Sequence, residues 1–433
     1  MRLALLGGIA VTPKVVIEDA GILVEDDEIA FVGEREELEE EHDWEDEVEL
    51  GDHDVVIPGL VNAHTHGPMT LFRGVSDDKP LMEWLMEDIW PLEAGLDADL
   101  CRLGAYAAAI ESVRCGVTCL YDMYFYMDAV AEAYADVGIR ASVSHGMIDL
   151  NVEDAEEVRE EEFKEAERVR KKCDGLKGLV EFSYGPHAPY TCSEELLREV
   201  RERADEHGVG VHIHVAETQD EVKEVKRNTG KRPVEYLHDI GFLKEDVLAA
   251  HCVWVTDEEI EMLAESGVTV AHNPISNMKL ASGVAPVPDM LSEGVNVAIG
   301  TDGCASNNNL DVLEEIKAAA LLHKVDRLDP TATEALEVLE MATVRAAAFY
   351  RSAEIGELKD GKAADIVVLD GDSPRLRPGH DPVSDVVYSA VGADVKCVMV
   401  AGEWVVKNGR VVTVDEEKIL EEFTEAAREL ASQ

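Results

Sequence analysis

VVIPGLVNAHTH, residues 55–66, decides the fold. An apolar, β-branched run ends in two histidines, and the same arrangement recurs downstream. GVTCLYDMYF (116–125), RASVSHGMID (140–149), GLVEFSYGPH (178–187), VGVHIHVAE (209–217), DVLAAHCVWV (246–255), GVTVAHNPIS (267–276) and NVAIGTDG (296–303) bring the number of such segments to eight. Each apolar run meets polar, often histidine-containing residues at its C-terminal end. Between them lie amphipathic stretches such as DADLCRLGAYAAAIESVRCG (97–116) and SEELLREVRERADEHG (193–208). Capping-box patterns at Thr218…Glu221, Thr256…Glu259 and Thr331…Glu334 mark expected helix starts. Eight strands alternating with helices, with chemistry gathered at the strand ends, predict an α/β fold of the (β/α)8 TIM-barrel type over residues 57–355. A doubly wound sheet is the competing fold, but its G-x-G-x-x-G turn after a first strand is missing.

Outside these limits the pattern is different. LALLGGIAV (3–11) and GILVEDDEIAFVG (21–33) precede the barrel, and IGELKDGKAADIVVLDGD (355–372) and DVKCVMVAGEWVVKNGRVV (394–412) follow it. Strands after a closed barrel cannot join it. Residues 1–56 and 356–433 are therefore expected to form one small composite β-sandwich domain from both chain ends. DEEKILEEFTEAARELA (415–431) has helical apolar spacing and reads as its closing helix. EREELEEEHDWEDEVE (34–49) is too acidic to bury a face and reads as a solvated loop or frayed helix.

The chain has 433 residues, of which 46% are hydrophobic and only 5% aromatic, so aliphatic side chains carry the burial. No run of eighteen apolar residues exists, and the N-terminus lacks the basic and long apolar regions of a signal peptide. A cytoplasmic location is expected. Acidic residues number 91 against 39 basic, a net charge of −52. Such a surface repels nucleic-acid phosphates and anionic lipids, which excludes both as partners. Concentrated salt screens the self-repulsion within a few ångströms, so the acidity reads as adaptation to a salty cell interior. The eight cysteines form no C-x-x-C pair and read as reduced, mostly core thiols.

The chemistry begins at His64-Thr65-His66, whose imidazoles, two residues apart on a strand, point to one side. An H-x-H pair is weak evidence alone. Further strand ends add His214, His251 and Asp302. His64, His66, His214 and Asp302 make a donor set for one divalent transition metal such as Zn2+, with a position left for water. Glu217, three residues beyond His214, can reach over that water, and His251 can hold it. Hydrogen-bonded strand-end polar residues are common in any barrel, but five together are not. His212 reads as a satisfied interior histidine. His272 is open between a role behind the site and the core, and His42, His53, His207, His238, His323 and His380 read as surface residues.

PGLVNAHTHGPMTLFRGVSDD (58–78), GPHAPYTCSEE (185–195), HVAETQDE (214–221), AAHC (249–252), HNPISNMKLASGVAPV (272–287) and GTDGCASNNNLD (300–311) together resemble the amidohydrolase superfamily. Within it the chain is similar to the methylthioadenosine/S-adenosylhomocysteine deaminases and the related archaeal 5′-deoxyadenosine deaminases. The resemblance implies His64, His66, His214 and Asp302 as ligands of one metal, Glu217 as proton shuttle and purine contact, and His251 as the water-orienting histidine. It also implies Glu93, in WPLE, as the carboxylate for the ribose hydroxyls, His187 as a further nucleoside contact, and a homotetramer. Binuclear relatives carry a lysine in strand four; GLVEFSYGPH has none. The implied reaction replaces the 6-amino group of a 5′-modified adenosine with oxygen, recycling by-products of S-adenosylmethionine. Relatives that take S-adenosylhomocysteine hold its carboxylate with an arginine after strand three. This chain has His145 there, with Arg159 in the next helix, so small uncharged 5′ ends are expected, 5′-deoxyadenosine first and 5′-methylthioadenosine next, with adenosine and S-adenosylhomocysteine as further substrates. The alternatives are a deaminase or hydrolase of guanine, cytosine or a triazine, for which Glu93 has no use, and a barrel without catalysis.

Overall fold

The computed structural model describes residues 2–12, 15–79, 81–150, 152–176 and 178–431. Its centre is a sheet of eight strands in sequence order: Leu60–Thr65, Val117–Tyr124, Arg140–Met147, Val180–Pro186, Gly210–Val215, Val247–His251, Thr269–His272 and Asn296–Ile299. Every neighbouring pair is parallel. Helices on the outside and side chains on the inside cover both faces. This is why the segment Val117–Tyr124, for example, is buried at every position. The last strand returns to the first: Asp302 N–H donates to the His64 carbonyl at 2.9 Å and Thr301 N–H to Asn62 Oδ1 at 3.0 Å. Gly300 permits this seam. A Cβ there would lie 2.4 Å from Asn273 Oδ1 and 2.8 Å from the His64 backbone nitrogen.

Of the three expected capping boxes, Thr256 and Glu259 form one reciprocally, at 3.3 and 3.0 Å. Thr218 caps the N–H of Glu221 at 3.2 Å, but the Glu221 carboxyl turns elsewhere. Thr331 caps nothing. Its N–H and hydroxyl bond Asp329, and the helix begins later, at Ala335.

The chain ends build two further sheets. Glu28–Glu34, Ala20–Glu25, Arg2–Leu6 and Asp46–Glu49 form one of four strands. Arg410–Val411, Glu403–Lys407, Val395–Val400, Ile366–Leu369, Val55–Pro58, Ile9–Val11 and Val16–Glu18 form the other, of seven. Ile366–Leu369 runs antiparallel to Val55–Pro58 and so joins the two ends of the chain. Leu3, Leu5, Ile22, Val56, Ile366, Val368 and Met399 fill the space between the sheets. The chain changes sheets at Gly59, so Val55–Pro58 belongs to the sandwich and the first barrel strand starts at Leu60.

One expectation for the ends is corrected. The acidic stretch after Glu34 is ordered: Arg35–Glu41 is a helix whose single Leu38 is fully buried, and Asp46–Glu49 pairs in parallel with Arg2–Leu6. Leu38, with Trp44 beside it, packs on Ala4, Leu6 and Leu23, Arg35 pairs with Glu39 and Glu49, and the other carboxylates of the helix stay in water. The terminal helix Glu416–Leu430 packs on the barrel helix Ala98–Arg114, with Arg114 to Glu416 at 2.8 Å, and meets the seven-stranded sheet where Glu416 Oε2 accepts the Val411 N–H at 3.0 Å. All eight cysteines are free, six of them buried. No described helix is long and apolar enough to cross a membrane.

Candidate active site

The C-terminal rim of the barrel collects the polar strand ends. His64 and His66 close the first strand, His214 the fifth and His251 the sixth, and Asp302 follows the eighth. Three of the turns involved are left-handed at non-glycine residues: Ala216 at φ 52°, His251 at φ 74° and Asp302 at φ 63°. Such conformations cost about 1 kcal/mol or more each and cluster where a side chain must be aimed. Each is held by side-chain bonds. Glu221 accepts the N–H groups of Ala216 and Glu217, both at 2.7 Å. Asn277 and Asn273 bring their amide nitrogens to 3.0 and 3.3 Å from His251 Nδ1. The hydroxyls of Ser276 and Ser306 donate to Asp302 Oδ2 at 2.7 and 2.9 Å, and Gly303 N–H donates to Oδ1 at 2.8 Å.

The donor atoms converge. Asp302 Oδ1 lies 3.5 Å from His64 Nε2 and 3.2 Å from His66 Nε2, which is 3.3 Å from His214 Nε2. Ligand atoms of His64, His66 and His214, and of His64, His251 and Asp302, fall within 4.8 Å of one another. His66 Nδ1 donates to the Met123 carbonyl at 2.6 Å and His214 Nδ1 to that of His187 at 2.8 Å, leaving both Nε2 atoms facing inward. His64 Nε2 is buried and makes no hydrogen bond. A buried donor nitrogen without a partner, beside two imidazoles and a carboxylate, fits a divalent cation.

The electrostatics agree. Burial pushes the His64 imidazole down to about 3, and keeps His214 well below its usual range. Burial also opposes charge on His66 and Asp302, but their mutual hydrogen bond and attraction prevail: His66 rises to about 9 and Asp302 falls well below the carboxylate range. His64 and His214 are thus neutral and Asp302 ionised, the forms that bind metal, whereas His66 without a cation keeps a proton against Asp302 that an arriving cation displaces. Burial raises Glu217, Glu93 and, to about 8, Glu221, and holds His187 down at about 4.

A pocket opens from this cluster. His66, His187, His214, Glu217, His251 and Asp302 line its inner end, and Glu93 faces them with Trp84, Trp90, Phe125 and Tyr190 around. Glu217 lies 3.9 Å from His251 Nε2 and accepts the Ser282 hydroxyl at 3.2 Å. Glu93 accepts the Tyr124 hydroxyl at 2.6 Å. His187 Nδ1 is 2.8 Å from Thr191 Oγ1. His145 and Arg159 do not line the pocket; His145 is held by Glu162 at 2.6 Å and Arg159 by Asp149 at 3.4 Å. Among the described residues no lysine or arginine lines it, whereas Glu93, Glu217, Glu221 and Asp302 do.

Several contributors escape sequence reading. Tyr124, Ser276, Asn277, Ser306 and Glu221 belong to the segments quoted above, but nothing in their spacing tells which atoms they hold. His323 corrects an expectation: it is buried, with Nε2 3.2 Å from that of His272, because its helix Val312–Arg327 turns that face onto the barrel. His272, fully buried with it, belongs to the core.

A closed parallel barrel bearing three imidazoles and an aspartate at its C-terminal rim defines a metal-dependent hydrolase. Residues 55–405 match the amidohydrolase family, and the chain belongs to it. It is 68% identical over 433 residues to a 5′-deoxyadenosine deaminase of Methanopyrus kandleri, covering 100% of both chains. It is 52% identical over 350 residues to a 5-methylthioadenosine/S-adenosylhomocysteine deaminase of Thermococcus onnurineus, covering 81% of this chain and 82% of that one. A crystal structure of an adenosine deaminase from Xanthomonas campestris with bound zinc superposes with a TM-score of 0.94 at 34% identity, covering 100% of this chain and 99% of that one.

Proposed function

We propose that the chain hydrolyses the 6-amino group of 5′-modified adenosines, releasing ammonia and the inosine analogue, with 5′-deoxyadenosine favoured. One observation carries this beyond the family: a single pocket joins the histidine–aspartate cluster to the Glu93 carboxylate. The curated relatives act on nucleosides of this kind by name. A divalent ion, zinc in our reading, held by His64, His66, His214 and Asp302 supplies Lewis acidity and a nucleophilic water at neutral pH.

The side chains do the rest. Water adds at C6 of the purine, and its proton passes to Asp302, whose Oδ2 is fixed by Ser276 and Ser306. Burial keeps Glu217 protonated more readily than a free carboxylate, so it can give a proton to N1 as the ring accepts electrons. His251, with Nδ1 turned to Asn277, presents Nε2 to the adding oxygen. The C–N bond then breaks as the C6 hydroxyl gives its remaining proton back to the Glu217 carboxylate, the amine leaves as ammonia with a proton returned from Asp302, and the N1 proton stays on the inosine-type product. Glu93 accepts from the ribose hydroxyls, and neutral His187 offers its open nitrogen to the nucleoside. With four acidic residues and, among the described residues, no lysine or arginine lining the pocket, anionic 5′ tails find no side chain to pair with, which favours 5′-deoxy and 5′-methylthio ends.

The test is a deamination screen at high salt with 5′-deoxyadenosine, 5′-methylthioadenosine, S-adenosylhomocysteine, adenosine, guanine and cytosine, followed by ultraviolet absorbance and ammonia release. The first two should turn over fastest and the free bases not at all. Guanine or cytosine outrunning every nucleoside would overturn the assignment.

A further inference from the structure

The three imidazoles that face the metal position are anchored unequally. His66 and His214 each give the Nδ1 proton to a backbone carbonyl, of Met123 and His187, at 2.6 and 2.8 Å. A carbonyl can only accept, so it fixes the tautomer of its histidine without any condition of its own. His64 has no carbonyl partner. Its Nδ1 lies 2.8 Å from Nε2 of His212, ring to ring at 79° with centroids 4.9 Å apart. Both side chains are fully buried.

For His64 to offer Nε2 to a cation, its ring proton must sit on Nδ1, and that proton needs an acceptor in a site closed to bulk water. His212 Nε2 fills that place only if it is bare, which puts the His212 proton on Nδ1. That atom makes no hydrogen bond of its own. The ring is therefore not held in this tautomer from behind; the pairing with His64 is its one polar contact among the described residues. His212 stands two residues before His214 on the same inward face of the fifth barrel strand, so one strand supplies a ligand and the support of another.

We infer that His212 is a positioning residue of the metal centre, accepting the Nδ1 proton of His64 so that His64 Nε2 is bare and aimed at the ion. This rests on the metal-centre reading above. An alternative, purely structural role as a ring filling the barrel interior demands only volume, not an acceptor atom.

The two roles separate in a pair of variants. His212→Leu keeps apolar volume without an acceptor; His212→Gln places an amide oxygen near the position of Nε2. Zinc affinity is read by competition with a chromophoric chelator at high salt, and apo-protein melting reports the fold. Removing such a supporting contact typically weakens a metal site about 10- to 100-fold. His212→Leu should show that loss, and His212→Gln should recover most of it. Zinc affinity of His212→Leu within about two-fold of wild type, or His212→Gln no better than His212→Leu, would overturn the inference. Should His212→Leu not fold, nitrogen-15 histidine spectra of the zinc-loaded wild type decide. A bare His212 Nε2 supports the assignment, and a protonated one overturns it. Wild-type protein that binds no zinc would instead remove the metal-centre reading itself.

Discussion

Glu93 offers the sharpest test of the substrate reading, because its effect should be confined to one part of the ligand. Its carboxyl is held by the Tyr124 hydroxyl at 2.6 Å on Oε1, which leaves Oε2 and the second lone pair of Oε1 toward the pocket. A vicinal diol can donate to both. Hydrogen bonds to a charged group contribute about 1.5–3 kcal/mol each, so losing two costs about 3–4 kcal/mol after partial replacement by water. At 1.36 kcal/mol per decade, Glu93→Ala should lower kcat/KM for 5′-deoxyadenosine by about 10²–10³. Part of any such loss could come from the Tyr124 hydroxyl left unpaired. A cycle with 2′,5′-dideoxyadenosine removes that contribution, since it is common to both substrates. Wild-type enzyme should lose about one to two decades of kcat/KM when the 2′-hydroxyl is removed, and Glu93→Ala should be nearly indifferent to it. Steady-state rates from the change in absorbance at four points of this cycle give the coupling directly. If both enzymes lose the same factor, Glu93 does not read the ribose and the pocket was assigned the wrong way round.

Glu217→Gln should keep its metal and lose turnover by on the order of 10² or more, because the amide cannot deliver the N1 proton; metal-replete protein with near-normal turnover would refute that role. His323 is buried neutral, its imidazole moved from 6.5 to about 4 chiefly by burial. Between those values the unfolded chain binds the proton and the folded one does not. The stability so gained is complete above pH 6.5 and lost as pH falls toward 4, about 3 kcal/mol in all. Urea unfolding at pH 7.5 and 5.0 should show a smaller acid loss in His323→Met than in wild type, and equal losses would contradict it. With a net charge of −52, melting temperature should climb steadily as KCl is raised from 0.1 to 2 M. A flat profile would show that the like charges are already neutralised by local pairing.

The barrel was legible in the sequence because burial on two faces leaves mostly apolar strands whose chemistry-bearing residues gather at one end. VGVHIHVAE brings His214 to its end in this way, and the ends of other strands bring His64, His66 and Asp302 to the same cluster. What did not show was the company each side chain keeps. Leu38 is one apolar residue in an acidic stretch, too faint to reveal a helix, yet its burial against Gly21 helps to seat one. Thr331…Glu334 has the letters of a capping box, but Asp329 takes the threonine first. His323 lies on a helix whose periodicity does not say which barrel residue it meets. Local patterns fix periods and ends; partners are chosen by the tertiary packing.

The same distinction explains how the site is aimed. Strand ends alone would point His251 and Asp302 along the strand direction, and the turn after His214 would carry Glu217 away. Left-handed φ values at Ala216, His251 and Asp302 redirect the chain at those three places. At about 1 kcal/mol or more apiece, this strain persists only because surrounding groups overdetermine it. Glu221 grips two consecutive N–H groups beside Ala216, and the short helix Pro274–Lys279 sends Ser276 to Asp302 and Asn277 to His251. That one helix therefore steers both the Asp302 carboxylate and the His251 imidazole, the groups that in the proposed reaction take the water proton and face the adding oxygen. Removing a hydroxyl or amide from it should misalign the chemistry while leaving the barrel closed, since the seam is made by His64, Asn62, Thr301 and the Asp302 backbone rather than by Ser276 or Asn277. Fold and activity are thus separable at this rim, because the bonds that close the barrel are not the bonds that aim its side chains.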